Sequence, residues 1–273
     1  MSERVTVNDL QRMKRDGEKS VCAVAWDHQM AQLIDRVGVD IVSVGDSVGI
    51  NLWGHATPLE ISFEEMLVVA KAVRRGVTRA LLSCDFPFGP LQRGPDAAVE
   101  AAIRLVKEAG VDLVKLDGAA DHLDAVQAVT RAGIPVFAQF GITPQTALTY
   151  GVDYASMAAG DAEIPEEMTE LLVEQARSLE QAGAVLLNFT NSGPVVGPAV
   201  VEAVAIPVLG GFGGGPWLDG RIRMANAAIG YAATGVDVPP NTYANVARIA
   251  FDALAEYVED VRAGRQIRGG RGR

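Results

Sequence analysis

Cysteine and histidine are scarce in this chain of 273 residues, which contains two cysteines and three histidines. Cys22 and Cys84 both lie inside apolar runs, and we interpret them as buried free thiols in a reducing compartment, not as a disulfide. The sequence contains neither an HExxH spacing nor a CxxC pair. A zinc site is therefore not expected.

Long hydrophobic runs are also missing. No apolar stretch reaches about 20 residues, the length that a helix needs to cross a bilayer. The N-terminal residues are polar and lack the apolar segment of a signal peptide. We therefore expect a cytoplasmic protein that has no membrane partner.

Acidic residues outnumber basic ones, and the formal net charge is -10. This balance argues against nucleic acid or an anionic membrane as the main partner, because both carry negative charge. Hydrophobic residues make up 49% of the chain and charged residues 21%, which is typical of a globular protein. We interpret the acidity as serving solubility, and by itself it discriminates little between functions.

Short apolar runs rich in Val, Ile and Leu alternate with segments of helical periodicity along the whole chain. Eight such units in a chain of this length predict an α/β fold, a (β/α)8 TIM barrel, with a doubly wound open sheet as the alternative. No linker marks a second domain, so we predict a single barrel domain over residues 1–262 and a disordered Gly/Arg-rich tail over 263–273. The predicted strands are 21–26, 40–45, 79–86, 111–116, 134–140, 184–189, 206–211 and 228–233.

Helical periodicity is clearest over residues 95–110, 122–133 and 166–183, and several of these segments end in glycine just before a strand. The segment 149–167 is long and poor in helical pattern. We predict that it forms a mobile loop over the mouth of the barrel.

Three acidic residues lie at the predicted ends of three successive strands. Asp46 follows IVSVG, Asp85 follows LLSC, and Asp117 follows LVKL. In a barrel of this class, strand ends at the C-terminal face are where ligands bind. Three carboxylates gathered there predict a site for a hard divalent cation that holds an oxygen-rich substrate.

Residues beside these carboxylates are candidates for substrate binding. Gly45 and Ser47 flank Asp46, and their backbone amides and hydroxyl could hold a carboxylate, although a tight turn capped by Asp46 explains the same motif. Lys115 shares a strand face with Asp117, because the two are two residues apart. A lysine directed inward is costly to bury unless it pairs with an acid or an anionic ligand.

Other polar residues near predicted strand ends are weaker candidates. Gln139 ends the fifth strand and is predicted to point towards the mouth, while His28 and His55 follow the first and second strands. The glycine-rich segment 210–220 could cradle a phosphate or carboxylate. It does not match GxGxxG followed by an acidic residue, so a dinucleotide is not expected.

An ordered series of motifs covers nearly the whole chain: VSVGDSVGINLWGH, CDFPFG, AGVDLVKLDG, IPVFAQFGITPQ, QAGAVLL and AIPVLGGFGGG. This series resembles the ketopantoate hydroxymethyltransferase (3-methyl-2-oxobutanoate hydroxymethyltransferase) family, within the phosphoenolpyruvate mutase/isocitrate lyase superfamily. The resemblance implies a TIM barrel, assembly into a homo-oligomer such as a decamer, Mg²⁺ chelated by the 2-oxo acid, and methylenetetrahydrofolate as the one-carbon donor.

The resemblance assigns the metal and substrate half of the site. Asp46 and Asp85 match the metal ligands of the family, and Asp117 stands where the family has a glutamate that contacts the metal through water. Ser47 and Lys115 match residues that hold the carboxylate and oxo group of the substrate. On this basis Lys115 is also counted among the catalytic residues.

The proton-transfer half departs from the family pattern. Thr190 stands where the family carries the glutamate that removes the C3 proton, and Gln139 stands where it has a histidine. A neutral threonine cannot act as a general base near neutral pH. Glu60, which replaces a proline, His28 or a bound water are the predicted alternatives for moving the proton.

Three functional hypotheses follow from this pattern. The first is a Mg²⁺-dependent hydroxymethyl or aldol-type transferase that acts through the metal-bound enolate of a 2-oxo acid, with an altered substrate or reaction. The second is a C–C lyase or decarboxylase of the same superfamily, in which bond cleavage forms the enolate. The third is a catalytically silent subunit that binds a 2-oxo acid.

Overall fold

The computed structural model describes residues 4–154, 157 and 164–269. Its centre is a closed barrel of eight strands in chain order, and the strand pairs whose register is defined are all parallel. This confirms the predicted (β/α)8 barrel. The strands are β1 Ser20–Val24, β2 Ile41–Val44, β3 Leu81–Asp85, β4 Leu113–Leu116, β5 Val136–Gly141, β6 Leu186–Thr190, β7 Val208–Gly210 and β8 Gly220–Met224.

Helices alternate with these strands. Several of them begin at a side-chain cap, such as Thr6, Asp27 and Ser62, and several end at a glycine in the left-handed conformation. Within the described residues, the α-helices with defined ends are Val7–Asp16, His28–Val37, Phe63–Arg74, Pro95–Ala109, Leu123–Arg131, Thr169–Gln181, Val196–Ala203, Ala225–Ala228 and Val246–Arg262.

The predicted eighth strand, residues 228–233, was wrong. The strand lies at Gly220–Met224, and the predicted segment contains the end of the short helix Ala225–Ala228 and a turn at Gly230, whose φ is +66°. The other seven predicted strands overlap the observed ones. The error arose because β8 carries two arginines and alternates buried with more exposed residues, whereas the prediction sought an apolar run.

The barrel interior is layered. An apolar cluster fills its N-terminal half, with Leu10 of the first helix packed among residues from seven strands. Side chains two residues further along each strand point to the same side. The cluster members on the strands are Cys22, Ile41, Leu81, Leu113, Phe137, Leu186 and Leu209.

The chain divides into two compact units, Met1–Ile222 and Arg223–Arg273. In the second unit, the helix Val246–Arg262 begins at Asn245, whose side chain accepts a hydrogen bond from the Arg248 amide. Within the predicted tail, Arg265 Nε lies 2.6 Å from the Asp260 carboxylate, and residues 270–273 lie outside the described part. The boundary at residue 262 stays a prediction.

The predicted mobile loop, residues 149–167, is described only in part. Tyr150 ends a short 3₁₀ helix, Ala147–Tyr150, and a second one covers Glu166–Met168. Residues 155, 156 and 158–163 lie outside the described residues. No helix in the described ranges is long and apolar enough to cross a membrane.

Candidate active site

The three predicted acidic residues all lie at the C-terminal ends of neighbouring strands. Asp85 is the last residue of β3, Asp117 directly follows β4, and Asp46 lies two residues beyond β2. All three are buried, with 4–6% of their surface exposed. Carboxylates are seldom buried without a charged partner or a metal.

Lys115 is the basic group of this cluster. Its Nζ donates a hydrogen bond to Asp85 Oδ2 at 2.7 Å, and both side chains are buried. Burial alone would lower the pKa of Lys115, but the nearby charges of Asp85 and Asp46 outweigh it and raise that pKa. The lysine therefore remains a cation inside the barrel.

Gln145 holds Asp46 in place. Its Nε2 donates to Asp46 Oδ2 and to the Phe86 backbone carbonyl, both at 3.0 Å. It therefore joins the loop after β5 to the loops after β2 and β3. Gln145 is the last residue of the motif IPVFAQFGITPQ, but the motif predicts no contact with Asp46, because the two residues are 99 positions apart in the sequence.

Burial and mutual repulsion raise the pKa values of two of the acids. The pKa of Asp46 rises to about 6, chiefly through burial and then through the charge of Asp85, although Lys115 and Gln145 act in the opposite direction. The pKa of Asp117 rises to about 8, chiefly through burial and then through the charge of Asp46. One lysine therefore does not compensate the negative charge at this end of the barrel.

Carboxylate oxygens of this cluster are candidate ligands for a divalent cation. Asp85 Oδ1 and Asp117 Oδ1 are buried and have no hydrogen-bond partner in the described part of the chain. However, the structure does not gather three or more His, Cys, Asp or Glu side chains of the described residues into a group arranged to hold a metal. Mg²⁺ commonly uses one or two carboxylates and completes its shell with water and substrate oxygens. These carboxylates therefore fit such a cation if fewer than three of them bind it directly.

The side of the barrel formed by β5 and β6 is neutral. Gln139 Nε2 donates to Thr190 Oγ1 at 3.2 Å, and both residues are buried. Asn188 lies opposite Gln139 in the register of the two strands and is also buried. Asn191, directly after β6, has a φ of +58° and donates from Nδ2 to the Ile142 carbonyl at 3.1 Å.

Gly45 and Ser47 lie on either side of Asp46 in the turn after β2. A Cβ atom added to Gly45 would lie 2.9 Å from Ser47 Oγ and 3.8 Å from Asp85 Oδ2. A larger residue at position 45 would therefore crowd the carboxylates. This close approach supports the view that the GDSVG turn shapes the site.

The remaining predicted residues have other immediate surroundings. The exposed Glu60 accepts a hydrogen bond from the Thr57 amide at 2.8 Å as part of a capping box, so the structure does not bring it into the buried cluster. His28 begins the helix after β1. Within the described residues, the buried Nδ1 atoms of His28 and of His55 have no hydrogen-bond partner.

Tyr154 is a further residue that the sequence analysis did not single out. Burial, and secondly the charge of Asp46, raise the pKa of its hydroxyl to about 12. Its ring meets that of Phe212 edge-on, with centroids 6.2 Å apart. It lies in the segment predicted to be a loop over the mouth, and nothing in that polar segment distinguished it.

Comparison with known proteins places these observations in a family. Residues 4–266 match the model of the ketopantoate hydroxymethyltransferase family. The 3-methyl-2-oxobutanoate hydroxymethyltransferase of Salinibacter ruber is 36% identical over 262 residues, 95% of this chain and 95% of that protein. The enzyme of the same name from a Cyanothece species is 36% identical over 260 residues, with 94% and 96% covered.

Solved structures share the barrel at much lower identity. The 2,3-dimethylmalate lyase of the PEP mutase/isocitrate lyase superfamily has a TM-score of 0.60 at 14% identity, covering 95% of this chain and 88% of the lyase. A phosphonopyruvate hydrolase complex with oxalate and Mg²⁺ has a TM-score of 0.58 at 14% identity, with 96% and 88% covered. These two likenesses support the fold. Because the family model spans nearly the whole sequence and relatives exceed one third identity, the chain belongs to the ketopantoate hydroxymethyltransferase family.

Proposed function

We propose that this chain is a divalent-cation-dependent enzyme that catalyses a hydroxymethyl or aldol-type transfer to the enolate of a 2-oxo acid, with a substrate or reaction altered from that of its relatives. One observation carries the proposal. Buried Asp46, Asp85, Asp117 and Lys115 form a charged half of the site, and the neutral Gln139–Thr190 pair lies on the adjoining strands.

In this proposal the charged half holds the cation and the acid end of the substrate. Asp46 and Asp85 would bind Mg²⁺ directly, and Asp117 would bind it through water. When bound, the cation would polarise the 2-oxo group as a Lewis acid and favour the enolate. Lys115 and Ser47 would orient the carboxylate and oxo oxygens. The Mg²⁺ and oxalate of the phosphonopyruvate hydrolase complex support a cation of this kind on this fold.

The neutral half determines how the enolate can form. Neither Thr190 nor Gln139 can accept a proton near neutral pH, and Thr190 is proposed to replace the glutamate base of the family. Glu60 is engaged as a helix cap. His28, whose Nδ1 lacks a partner among the described residues, or a bound water is the proposed proton carrier.

The neutral pair also favours a second candidate function. In a C–C lyase or decarboxylase, cleavage of a carbon–carbon bond leaves the enolate directly, so no base has to remove a C3 proton. A catalytically silent subunit that binds 2-oxo acids is the third candidate, and it requires only the charged half.

Proton NMR in D₂O separates these functions. The chain is incubated with Mg²⁺ and a panel of 2-oxo acids, with Asp46→Asn as the matched control. If the C3 hydrogens exchange with the parent chain but not with the Asp46→Asn control, the transferase is supported. Release of an aldehyde or CO₂ without exchange supports the lyase or decarboxylase. Binding without either reaction leaves the silent subunit, and the absence of binding overturns all three.

The donor of the one-carbon unit and the assembly state belong to the same proposal. Methylenetetrahydrofolate and free formaldehyde are compared as donors with a 2-oxo acid whose C3 hydrogens exchange, and the hydroxymethylated product is the readout.

We further propose that copies of the chain assemble into a homo-oligomer, such as the decamer that the family resemblance implies. Light scattering on a size-exclusion column tests this directly.

A further inference from the structure

The last α-helix, Val246–Arg262, carries an apolar stripe that is exposed. Its large side chains recur at spacings of three and four residues, which places them on one face of the helix. They are nevertheless 39–63% exposed. A contiguous exposed apolar surface commonly marks an interaction site. We call this surface the terminal stripe, and its members are Phe251, Leu254, Tyr257, Val258 and Val261.

Exposure of this kind is not general among the helices of the chain. The helix Pro95–Ala109 has 15 residues, and five of them are buried. The last helix has 17 residues, and among them only Ala247 is buried. Because an amphipathic helix gains most of its stability from packing its apolar face, the terminal stripe calls for a partner surface.

The pattern of the terminal stripe is symmetric about Leu254. Apolar residues lie three, four and seven positions before Leu254 and at the same distances after it, all on one face of the helix. These pairs are Phe251 and Tyr257, Ala250 and Val258, and Ala247 and Val261. A two-fold contact between identical subunits requires a patch that is complementary to itself. A second copy of the same helix, running in the opposite direction, meets that requirement.

Charged residues beside the stripe favour the antiparallel direction. Arg248 and Glu259 flank the stripe on the same side and lie at similar distances before and after Leu254, so an antiparallel pair brings Arg248 of one copy across from Glu259 of the other. Within the chain, Arg248 pairs with Asp252 at 3.4 Å, whereas Glu259 makes no ion pair among the described residues. A parallel pair would place Arg248 beside Ile249 instead.

We propose that the terminal stripe is a two-fold interface at which the last helices of two copies of this chain pack antiparallel, with Leu254 against its own counterpart. The inference rests on the proposed homo-oligomer and not on the proposed reaction, since the stripe contains no residue of the charged cluster. It names a surface that joins the copies, which the proposed homo-oligomer leaves open.

Oxidative cross-linking, read on a non-reducing gel, tests the pairing. In the antiparallel pair position 254 meets its own counterpart, so Leu254→Cys should form a disulfide between copies. In Phe251→Cys the two sulfur-bearing positions would lie about 9 Å apart along the helices, beyond the reach of roughly 7 Å between Cα atoms, so no cross-link should form. The parent chain is the control, because Cys22 and Cys84 are buried. Cross-linking of both variants would indicate a parallel pair, and cross-linking of neither would show that the stripe does not pair with itself. Either result overturns the inference.

Light scattering on a size-exclusion column measures the contribution of the stripe to assembly. Leu254→Asp places a charge in the contact and should lower the molar mass of the assembly about twofold or more. Asp252→Ala, on the opposite face of the helix, should keep the parent mass. If Leu254→Asp keeps both the parent mass and the parent helix content by circular dichroism, the inference is overturned while the proposed homo-oligomer stands. A monomeric parent chain would overturn both. If Leu254→Asp does not fold, the cross-linking of Leu254→Cys decides.

Discussion

The two halves of the barrel mouth differ in the charge of their buried polar groups. On the side of β2, β3 and β4, three carboxylates surround one lysine, and carboxylate oxygens of Asp85 and Asp117 have no partner among the described residues. On the side of β5 and β6, the Gln139 amide donates a hydrogen bond to the Thr190 hydroxyl, and the amide oxygens of Gln139 and Asn188 have no partner in the described ranges. The charged half is therefore suited to a cation and an anion, and the neutral half to hydrogen bonds with an uncharged part of the ligand.

A buried carboxylate outside the site shows that burial alone does not create this imbalance. Asp35 is also buried, and burial acts to raise its pKa. Hydrogen bonds from the Ala80, Thr78 and Arg79 amides and the Thr78 hydroxyl outweigh it, so its pKa is lowered. At Asp46 and Asp117 the hydrogen bonds and the charge of Lys115 do not outweigh burial and the repulsion between carboxylates, so their pKa values are raised.

The largest effect is expected from Asp85→Ala, which breaks the charged half. We expect Mg²⁺ binding to be lost in a calorimetric titration. Chemical denaturation should show a smaller loss of stability than the breaking of an isolated buried ion pair, because Lys115 loses its hydrogen-bonded partner but keeps the charges of Asp46 and Asp117 nearby. Thr190→Val, in the neutral half, is the matched control and should bind Mg²⁺ normally. Unchanged Mg²⁺ affinity in Asp85→Ala would refute the metal-site model.

Thr190→Glu would make the neutral half resemble the charged one. A carboxylate at this position can act as a base, and we expect C3 exchange of 3-methyl-2-oxobutanoate in D₂O to accelerate by about 10²–10⁴-fold. Thr190→Gln has a similar size without the charge and serves as the control. Equal exchange rates for the two variants would show that position 190 does not face the C3 hydrogen.

Lowering the pH should weaken cation binding through the charged half alone. Because a proton on Asp46 competes with the cation, Mg²⁺ affinity should fall by about tenfold per pH unit below the pKa of about 6. Calorimetric Mg²⁺ titrations at pH values from about 5 to about 8 measure how the affinity changes with pH. In Thr190→Val the Mg²⁺ affinity should depend on pH in the same way, because Asp46 is unchanged. If the pH dependence disappeared in this variant, its assignment to Asp46 would be contradicted.

The same pKa values predict how the stability of the cation-free protein changes with pH. A raised carboxyl pKa means that the native form holds protons that the unfolded form has released. The contribution of Asp46 and Asp117 to stability is therefore greatest below the unfolded value of 3.8 and is lost as the pH rises through about 6 and about 8. Thermal denaturation should show Mg²⁺ raising the melting temperature more at pH 8 than at about pH 5.

Gln145→Ala should have the smallest effect. It removes the donor to Asp46 and to the Phe86 carbonyl without changing a charge. Loss of a residue that orients a metal ligand typically costs about 10–100-fold in metal affinity, and we expect the lower end of that range because Asp46 keeps its backbone environment. Gln145→Glu adds a charge at the same position. Affinity equal to that of the parent in Gln145→Ala would exclude an orienting role.

Much of the barrel and of the charged half could be predicted from the sequence because the signals are local. Strands such as β2 and β3 are buried along their whole length and read as continuous apolar runs. Asp46, Asp85 and Asp117 follow such runs directly, so the parallel topology alone brings their ends to one face of the barrel.

Features that depend on tertiary contacts could not be predicted in this way. β8 pairs with β7 and contains Gly220, where an added Cβ would lie 2.2 Å from the Ser20 carbonyl oxygen. That requirement for glycine arises from the closure of the barrel and leaves no periodic pattern. The contacts of Gln145 and Tyr154 with the environment of Asp46 likewise join distant parts of the sequence.

The pairing of Lys115 with Asp85 also has a kinetic consequence. One ammonium group cannot balance the neighbouring carboxylates, so above the pKa of Asp46 the mouth of the barrel carries an excess of negative charge. In the proposed function, that excess would repel the carboxylate of an approaching 2-oxo acid until a cation offsets it. The protein's own charges would then favour ordered association of the ligands, with the cation first and the acid second.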